Sequence, residues 1–103
     1  MNIGIPKERR PFEYRVGLSP AGVEILVQSG NLVFVEHEAG IGAGFADEED
    51  ENTGARIVYS AEEVFGRADL VLKVARPTED EFSFLRPGSA LAGLLSLPSA
   101  RQS

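Results

Sequence analysis

Arg15, Lys73 and Ser96 are the residues of this sequence whose types and positions suit a ligand site. Arg15 lies in a loop after the first predicted strand, Lys73 ends another strand, and Ser96 comes just after the last strand. Ligands bind outside the carboxyl ends of parallel strands, which share one edge of the sheet. An arginine there can grip a carboxylate with two hydrogen bonds, and a lysine can offer a compact positive charge to a carbonyl oxygen. Arg15 and Lys73 together therefore suit a small oxo or amino acid.

A simpler interpretation remains open for the same residues. Lys73 can be a strand-end residue that reaches into solvent, and Arg15 a surface loop residue. The basic group of Lys7, Arg9, Arg10 and Arg15 runs against an acidic background, so it suits a small anion, but a solvated charged loop has the same composition. Residue types alone do not separate these interpretations.

Two further features of the sequence could carry chemistry. The loop Gly40-x-Gly42-x-Gly44 follows a strand, but the dinucleotide fingerprint needs a glycine where Phe45 stands. It also needs an acid at the end of a second strand about 20 residues later, and no acid has that position. We therefore interpret the loop as a tight turn with close backbone packing. His37 could carry a proton at the same sheet edge, although a lone histidine between Glu36 and Glu38 is more often a solvated or hydrogen-bonded loop residue.

The composition excludes several classes of protein. The 103 residues carry a net charge of −6 and contain no cysteine and one histidine. Nucleic acid is therefore an unfavourable partner, and thiolate chemistry and a histidine-cluster metal site are excluded within one chain. Neither a run long enough for a membrane span nor a signal peptide is visible, so we expect a cytoplasmic protein of one domain.

Strands and helices are predicted to alternate along the whole sequence. Buried strands are indicated at Asn2 to Ile5, Asn31 to Glu36, Asp69 to Val74 and Ala90 to Leu95, with a brief one at Arg56 to Val58. A helix is expected from Pro20, capped by Ser19 and ended by Gly30, and a shorter one from Asp47. Capping boxes at Ser60 to Glu63 and Thr78 to Glu81 begin two more helices, and Tyr59 and Val64 are spaced as a hydrophobic staple for the first of these.

This order of elements predicts an α/β fold, a mostly parallel open sheet of four or five strands with helices on both faces, Rossmann-like or flavodoxin-like. The last residues offer no helix to cover the final strand. We therefore expect the native chain to continue beyond residue 103, and a chain of this length is too short to hold a separate cofactor domain beside the sheet.

Several sequence blocks in order resemble the alanine dehydrogenase and proton-translocating transhydrogenase family. The similar blocks are Gly4-Ile5-Pro6-Lys7-Glu8, Glu13-Tyr14-Arg15-Val16, Leu18 to Val23, Glu38 to Asp47, Gly54 to Val58 and Ala68 to Val74 with Pro77. The spacing through Lys73 is closer to the dehydrogenase branch. The resemblance covers residues 1 to about 97. It implies that residues 1–103 are an incomplete N-terminal substrate-binding domain, without the cofactor-binding Rossmann domain that follows in family members.

The resemblance implies roles for individual residues. The arginine and lysine that match Arg15 and Lys73 bind pyruvate or alanine in alanine dehydrogenases, and Lys73 is also a catalytic candidate. Ser96 stands where the family carries an acid/base histidine, and a serine hydroxyl cannot exchange protons near neutral pH as imidazole does. Phe12-Glu13 replaces the family's usual Asn-Glu, and Gly17 replaces its alanine.

The implied function is oxidation of L-alanine to pyruvate and ammonia by hydride transfer to NAD, in a longer parent that is a homo-oligomer. This chain alone is expected to be inactive and to hold neither the cofactor nor a metal. Two alternatives remain: a non-catalytic family member or isolated α/β module with a small-anion pocket, and the transhydrogenase alpha subunit.

Overall fold

A five-stranded parallel sheet organises the chain in the computed structural model, which describes residues 1–9, 16–74 and 78–93. The strands are β1 (Asn2–Ile5), β2 (Leu32–Glu36), β3 (Arg56–Val58), β4 (Leu70–Lys73) and β5 (Ala90–Gly93). The helices are α1 (Pro20–Gln28), α2 (Asp47–Asn52), α3 (Ala61–Arg67) and α4 (Glu79–Phe84), with a short 3-10 turn at Ile41–Ala43. The predicted α/β fold is confirmed.

The spatial order of the strands is β3-β2-β1-β4-β5, and each neighbouring pair is parallel. The chain builds outward from β1 through β2 to β3, then crosses back to place β4 on the other side of β1. This order is the Rossmann type, so the flavodoxin-like alternative is not the one adopted. The point where the order reverses lies between β1 and β4.

The two faces of β1 explain why helices cover the sheet on both sides. Successive side chains of a strand point to opposite faces. Ile3 and Ile5 pack in one core cluster with Val23 of α1. Gly4 faces α3, where a Cβ on residue 4 would lie 2.7 Å from Val64 Cγ1 and 2.9 Å from Ala68 Cβ. Gly4 therefore allows α3 to pack directly on the central strand.

Local signals in the sequence fix the ends of α1. Ser19 is its N-cap and accepts a hydrogen bond from the backbone N–H of Gly22, and Pro20 occupies the first turn. Gly30 has φ of +94°, the left-handed conformation that favours glycine after a helix. The prediction for this helix is confirmed at both ends.

The start of α3 differs from the prediction in one respect. Ser60 accepts the expected hydrogen bond from the backbone N–H of Glu63. Val64 is buried with Phe34 and Val58, whereas Tyr59 is 72% exposed and its ring lies 5.1 Å from that of His37. The predicted hydrophobic staple between Tyr59 and Val64 is therefore wrong, because Tyr59 stays exposed to solvent beside the ring of His37.

Helix α2 buries one carboxyl group in a strongly acidic segment. Asp50 is 4% exposed, although the four residues of the first turn are all acidic. Loss of hydration raises the pKa of Asp50 to about 6, and the nearby charges of Asp47 and Glu49 act in the same direction. The charged form of Asp50 therefore opposes folding.

Candidate functional site

The carboxyl ends of β1 and β4 form the point in the sheet where a ligand site is expected. In open α/β sheets the crevice at the reversal of strand order is the usual binding position. Glu8 follows β1 and Lys73 ends β4, and both side chains are buried at this point. Lys73 Nζ donates a hydrogen bond to Glu8 Oε1 at 3.0 Å. The predicted position of Lys73 at this edge is confirmed.

Lys73 does not reach into solvent, because its relative exposure is 0%. Along β4 its side chain has the same parity as that of Val71, which packs in the core with Phe65 of α3. Lys73 therefore points to the face that α3 and α4 cover. A buried ammonium group must be paired, and Lys73 has a second carboxylate partner, Glu81 Oε2 at 3.4 Å.

Glu8 is held by groups on the adjacent strand. Its Oε1 accepts from Lys73 Nζ, and its Oε2 accepts from the backbone N–H of Val74 at 2.9 Å. Both partners belong to β4 or follow it directly. Glu8 therefore ties the segment after β1 to the end of β4 and leaves its carboxylate little freedom.

Glu81 is positioned by the capping box that the sequence predicts at the start of α4. Its Oε1 accepts from the backbone N–H of Thr78 at 2.9 Å, and its own N–H donates to Thr78 Oγ1 at 3.3 Å. Its Oε2 is the oxygen that faces Lys73. One carboxylate therefore both caps a helix and neutralises the buried lysine.

A cleft of about 590 Å³ opens beside this ion cluster, along the carboxyl ends of the strands. It is lined by Glu36 at the end of β2 and by residues that follow β1, β3 and β4, among them Glu81. Within this lining, Glu36 accepts two hydrogen bonds from the Arg9 guanidinium, at 3.2 and 2.5 Å, and one from the Lys7 backbone N–H. The Arg9 guanidinium is therefore already paired with the Glu36 carboxylate.

His37 lies at the same edge of the sheet and is paired with a carboxylate. Its Nδ1 lies 2.5 Å from Asp47 Oδ2, and Asp47 Oδ1 accepts from the Glu38 backbone N–H at 2.7 Å. Glu38 has φ of +62°, a left-handed conformation that this hydrogen bond helps to hold. The structure agrees with the interpretation of His37 as a hydrogen-bonded loop residue.

The glycine-rich loop does not fit a dinucleotide. It leads into a 3-10 turn of three residues, and a Cβ on Gly40 would lie 2.9 Å from Phe45 Cβ. Pyrophosphate binding needs the start of a longer helix with free backbone donors. The small size of Gly40 instead allows the loop to pack on itself, as predicted. Within the described ranges there is also no cluster of histidine and acidic residues that could hold a metal.

Gly17 has a packing reason to be glycine. A Cβ at this position would lie 2.5 Å from the carbonyl oxygen of Leu72. The segment around Gly17 therefore runs directly against the backbone of β4, one residue before Lys73. The absence of a Cβ at position 17 allows this close approach.

The predicted site residues are only partly within the described structure. Lys73 is described, whereas Arg15 and Ser96 lie outside residues 1–9, 16–74 and 78–93. Glu8 and Glu81 were not predicted as site residues. The signal for them is the lysine itself, because a charged residue that ends a buried strand needs carboxylate partners from elsewhere in the chain. In the part of the chain that the structure describes, no helix is long and apolar enough to cross a membrane.

Comparisons with known proteins identify the family. Residues 4–103 match the family "Alanine dehydrogenase/PNT, N-terminal domain". The chain is 44% identical over 102 residues to an alanine dehydrogenase of Geobacillus stearothermophilus, covering 99% of this chain and 27% of that protein. It is 42% identical over 97 residues to an alanine dehydrogenase of Methanococcus maripaludis, covering 94% of this chain and 26% of that protein.

Solved structures give the same result. An L-alanine dehydrogenase matches with a TM-score of 0.89 and 44% identity, over 99% of this chain and 28% of its own. A transhydrogenase from Sinorhizobium meliloti matches with a TM-score of 0.86 and 34% identity, over 99% of this chain and 29% of its own. The chain thus spans little more than a quarter of the length of these relatives. It belongs to the alanine dehydrogenase and transhydrogenase family, whose N-terminal domain it matches.

Proposed function

We propose that this chain forms the substrate-binding half of an NAD-dependent oxidoreductase of the alanine dehydrogenase type, and that Arg15 and Lys73 bind pyruvate or alanine. The observation that carries the proposal is the buried ammonium group of Lys73 at the reversal of strand order. A lysine enclosed by two carboxylates contributes little to the stability of the fold, because the attraction between buried charges seldom exceeds the free energy lost with their hydration. Binding of a substrate oxygen gives that arrangement a use.

The roles of the two cations follow from their chemistry. Arg15 binds the substrate carboxylate through two parallel hydrogen bonds, and Lys73 donates to the oxo group of pyruvate and polarises it. Gly17, close to Arg15 in sequence, lies against Leu72, which supports a common location. Ser96 does not replace the family histidine as a proton carrier, so proton transfer falls to a group outside these three residues.

We do not assign NAD binding to residues 1–103, because the glycine-rich loop does not fit a dinucleotide. We propose that the parent protein binds NAD through a further domain, forms a homo-oligomer and works in the cytoplasm. The 103-residue chain mixed with alanine and NAD should then produce no NADH fluorescence.

Calorimetric titration of the chain with pyruvate tests the substrate assignment. Arg15→Gln and Lys73→Gln should each weaken binding by at least about tenfold, since each removes a hydrogen bond to a charged or polarised group worth roughly 1.5–3 kcal/mol. Arg56→Gln, an exposed position on the edge strand β3, is the matched control and should bind as the unmodified chain does. Circular dichroism verifies that each variant is folded. Equal dissociation constants for all four proteins would refute the assignment.

The replacement of the family histidine by Ser96 favours a second candidate, a non-catalytic member with a small-anion pocket. Such a pocket has no need of the oxo group. Acetate, which keeps the carboxylate and lacks the carbonyl, would then bind as tightly as pyruvate. Preference for pyruvate supports the dehydrogenase-type site, and absence of binding by both anions favours the transhydrogenase alternative.

A further inference from the structure

We infer that Glu81 is a displaceable counter-ion of Lys73 and that a substrate oxygen takes its place on the ammonium group. This inference rests on the proposed function, and it adds a positioning residue that sets the affinity of the site. In the arrangement described, the Lys73 side chain is 1% exposed. No ligand can therefore touch Nζ until one of its partners moves.

The two carboxylates around Lys73 are held in different ways. Glu8 bonds to Lys73 Nζ at 3.0 Å and to the Val74 N–H at 2.9 Å, both across to the neighbouring strand. Glu81 lies farther from Nζ, at 3.4 Å, and it also bonds to Thr78 in its own capping box. Because Thr78 begins the same helix, movement of Glu81 together with that turn keeps those bonds intact. Separating Glu81 from Lys73 therefore breaks fewer hydrogen bonds than separating Glu8 from Lys73.

The cleft next to Glu81 offers space into which this side chain can move. Glu81 belongs to the wall of the cleft, whereas Glu8 does not line it. Helix α4 has only six residues, and its packing on α3 includes an aromatic contact, Phe84 with Phe65 at 6.2 Å between ring centroids. When the first turn of α4 moves and carries Glu81 toward the cleft, Nζ of Lys73 loses its cover on the side of Glu81. An anionic or carbonyl oxygen that enters the cleft then replaces Glu81 Oε2 as acceptor.

Amine labelling tests the displacement without any ligand. The chain has two lysines, Lys7 and Lys73, and Lys7 is exposed, so it serves as an internal reference. Reaction with acetic anhydride is followed by mass spectrometry across a pH series. The alkaline plateau of the rate reports access to the amine, whereas the midpoint reports its proton affinity. Glu81→Gln should raise the plateau rate of Lys73 relative to Lys7 by roughly tenfold, because it removes a charge-assisted contact.

The matched control is Glu79→Gln, an exposed acid on the same helix, which should leave the labelling ratio unchanged. Glu81→Asp is a second variant that keeps the charge and shortens the reach to Lys73, and it should raise the plateau rate in the same direction. Unchanged labelling in folded Glu81→Gln and Glu81→Asp would overturn the inference.

Pyruvate titration of the same variants separates this inference from the proposed function. Displacement predicts that Glu81→Gln binds pyruvate roughly tenfold more tightly than the unmodified chain, since the competing anion is gone. Weaker binding by Glu81→Gln would overturn the inference, because Glu81 would then act by holding Lys73 in place. Faster labelling with no pyruvate binding by any protein would support the displaceable contact and refute the substrate assignment.

Discussion

Replacing Asp50 by asparagine should make the protein more stable at neutral and alkaline pH. Asp50 is buried in α2, and its pKa in the folded state is raised from 3.8 to about 6. The folded state therefore holds a proton on Asp50 more tightly than the unfolded state does. By linkage, the stability contributed by this group is greatest below pH 3.8 and falls as pH rises through the window from 3.8 to about 6.

The magnitude follows from the width of that window. A separation of about two pKa units corresponds to roughly 3 kcal/mol between the protonated and charged forms at about 1.4 kcal/mol per unit. The asparagine side chain carries no charge at any pH, so the variant avoids this penalty. It also loses the attraction between the Asp50 carboxylate and the start of the helix, which is smaller, about 0.3–1 kcal/mol. We therefore expect a net gain of about 2 kcal/mol at about pH 8.

Urea unfolding followed by far-ultraviolet circular dichroism measures this difference across the pH range. The gain of Asp50→Asn over the unmodified protein should shrink to near zero as pH falls to about 4, where the Asp50 carboxyl approaches full protonation in the folded state and half protonation in the unfolded state. Glu51→Gln, at an exposed position of the same helix, is the control and should change stability by less than about 0.5 kcal/mol. A variant that is less stable at alkaline pH, or a gain that does not vary with pH, would contradict the assigned burial of the charge.

Three further substitutions test the ion cluster, the helix packing and the helix cap near the site. Lys73→Met leaves Glu8 and Glu81 buried without their shared cation and should lower stability by about 3–5 kcal/mol. Arg67→Met breaks only an exposed pair with Glu63 and should lower it by less than about 1 kcal/mol, so similar losses for the two variants in thermal unfolding would contradict the burial of the cluster. Gly4→Ala forces a Cβ against Val64 and Ala68 and should cost about 1–3 kcal/mol, so unchanged chemical stability would show that α3 adjusts freely. Ser60→Ala removes the N-cap of α3 and should cost about 1 kcal/mol in urea unfolding, which Ser60→Asp should largely restore.

Local patterns predicted the elements of the fold well. The unbroken apolar run from Leu32 to Val35 indicated a strand covered on both faces, and β2 lies inside the parallel sheet. Ser19, Pro20 and Gly30 marked the ends of α1 because caps act through neighbouring residues. The strand order was not predictable in the same way, since it depends on which strands pair across long stretches of sequence.

The candidate site was predictable only in part for the same reason. A lysine that ends a buried strand can be recognised from its neighbours, but Glu8 lies 65 residues away in sequence and is brought to it by pairing of β1 with β4. Asp50 shows the opposite limitation. Its acidic neighbours indicate a solvated helix start, yet packing of α2 buries this one carboxyl group.

The central position of β1 has a consequence for the order in which the protein is assembled. Residues 2–5 leave the ribosome before their partners, and their pairing with β2 needs only the chain to Glu36. Their other neighbour, β4, and the capping residue Glu81 are synthesised much later. The nascent chain therefore carries one open edge of its central strand until β4 emerges, and the Lys73 that pairs with Glu8 arrives only then. Contacts this distant in sequence slow folding, so protection of that edge during synthesis should matter more to the yield of this protein than the speed at which its helices form.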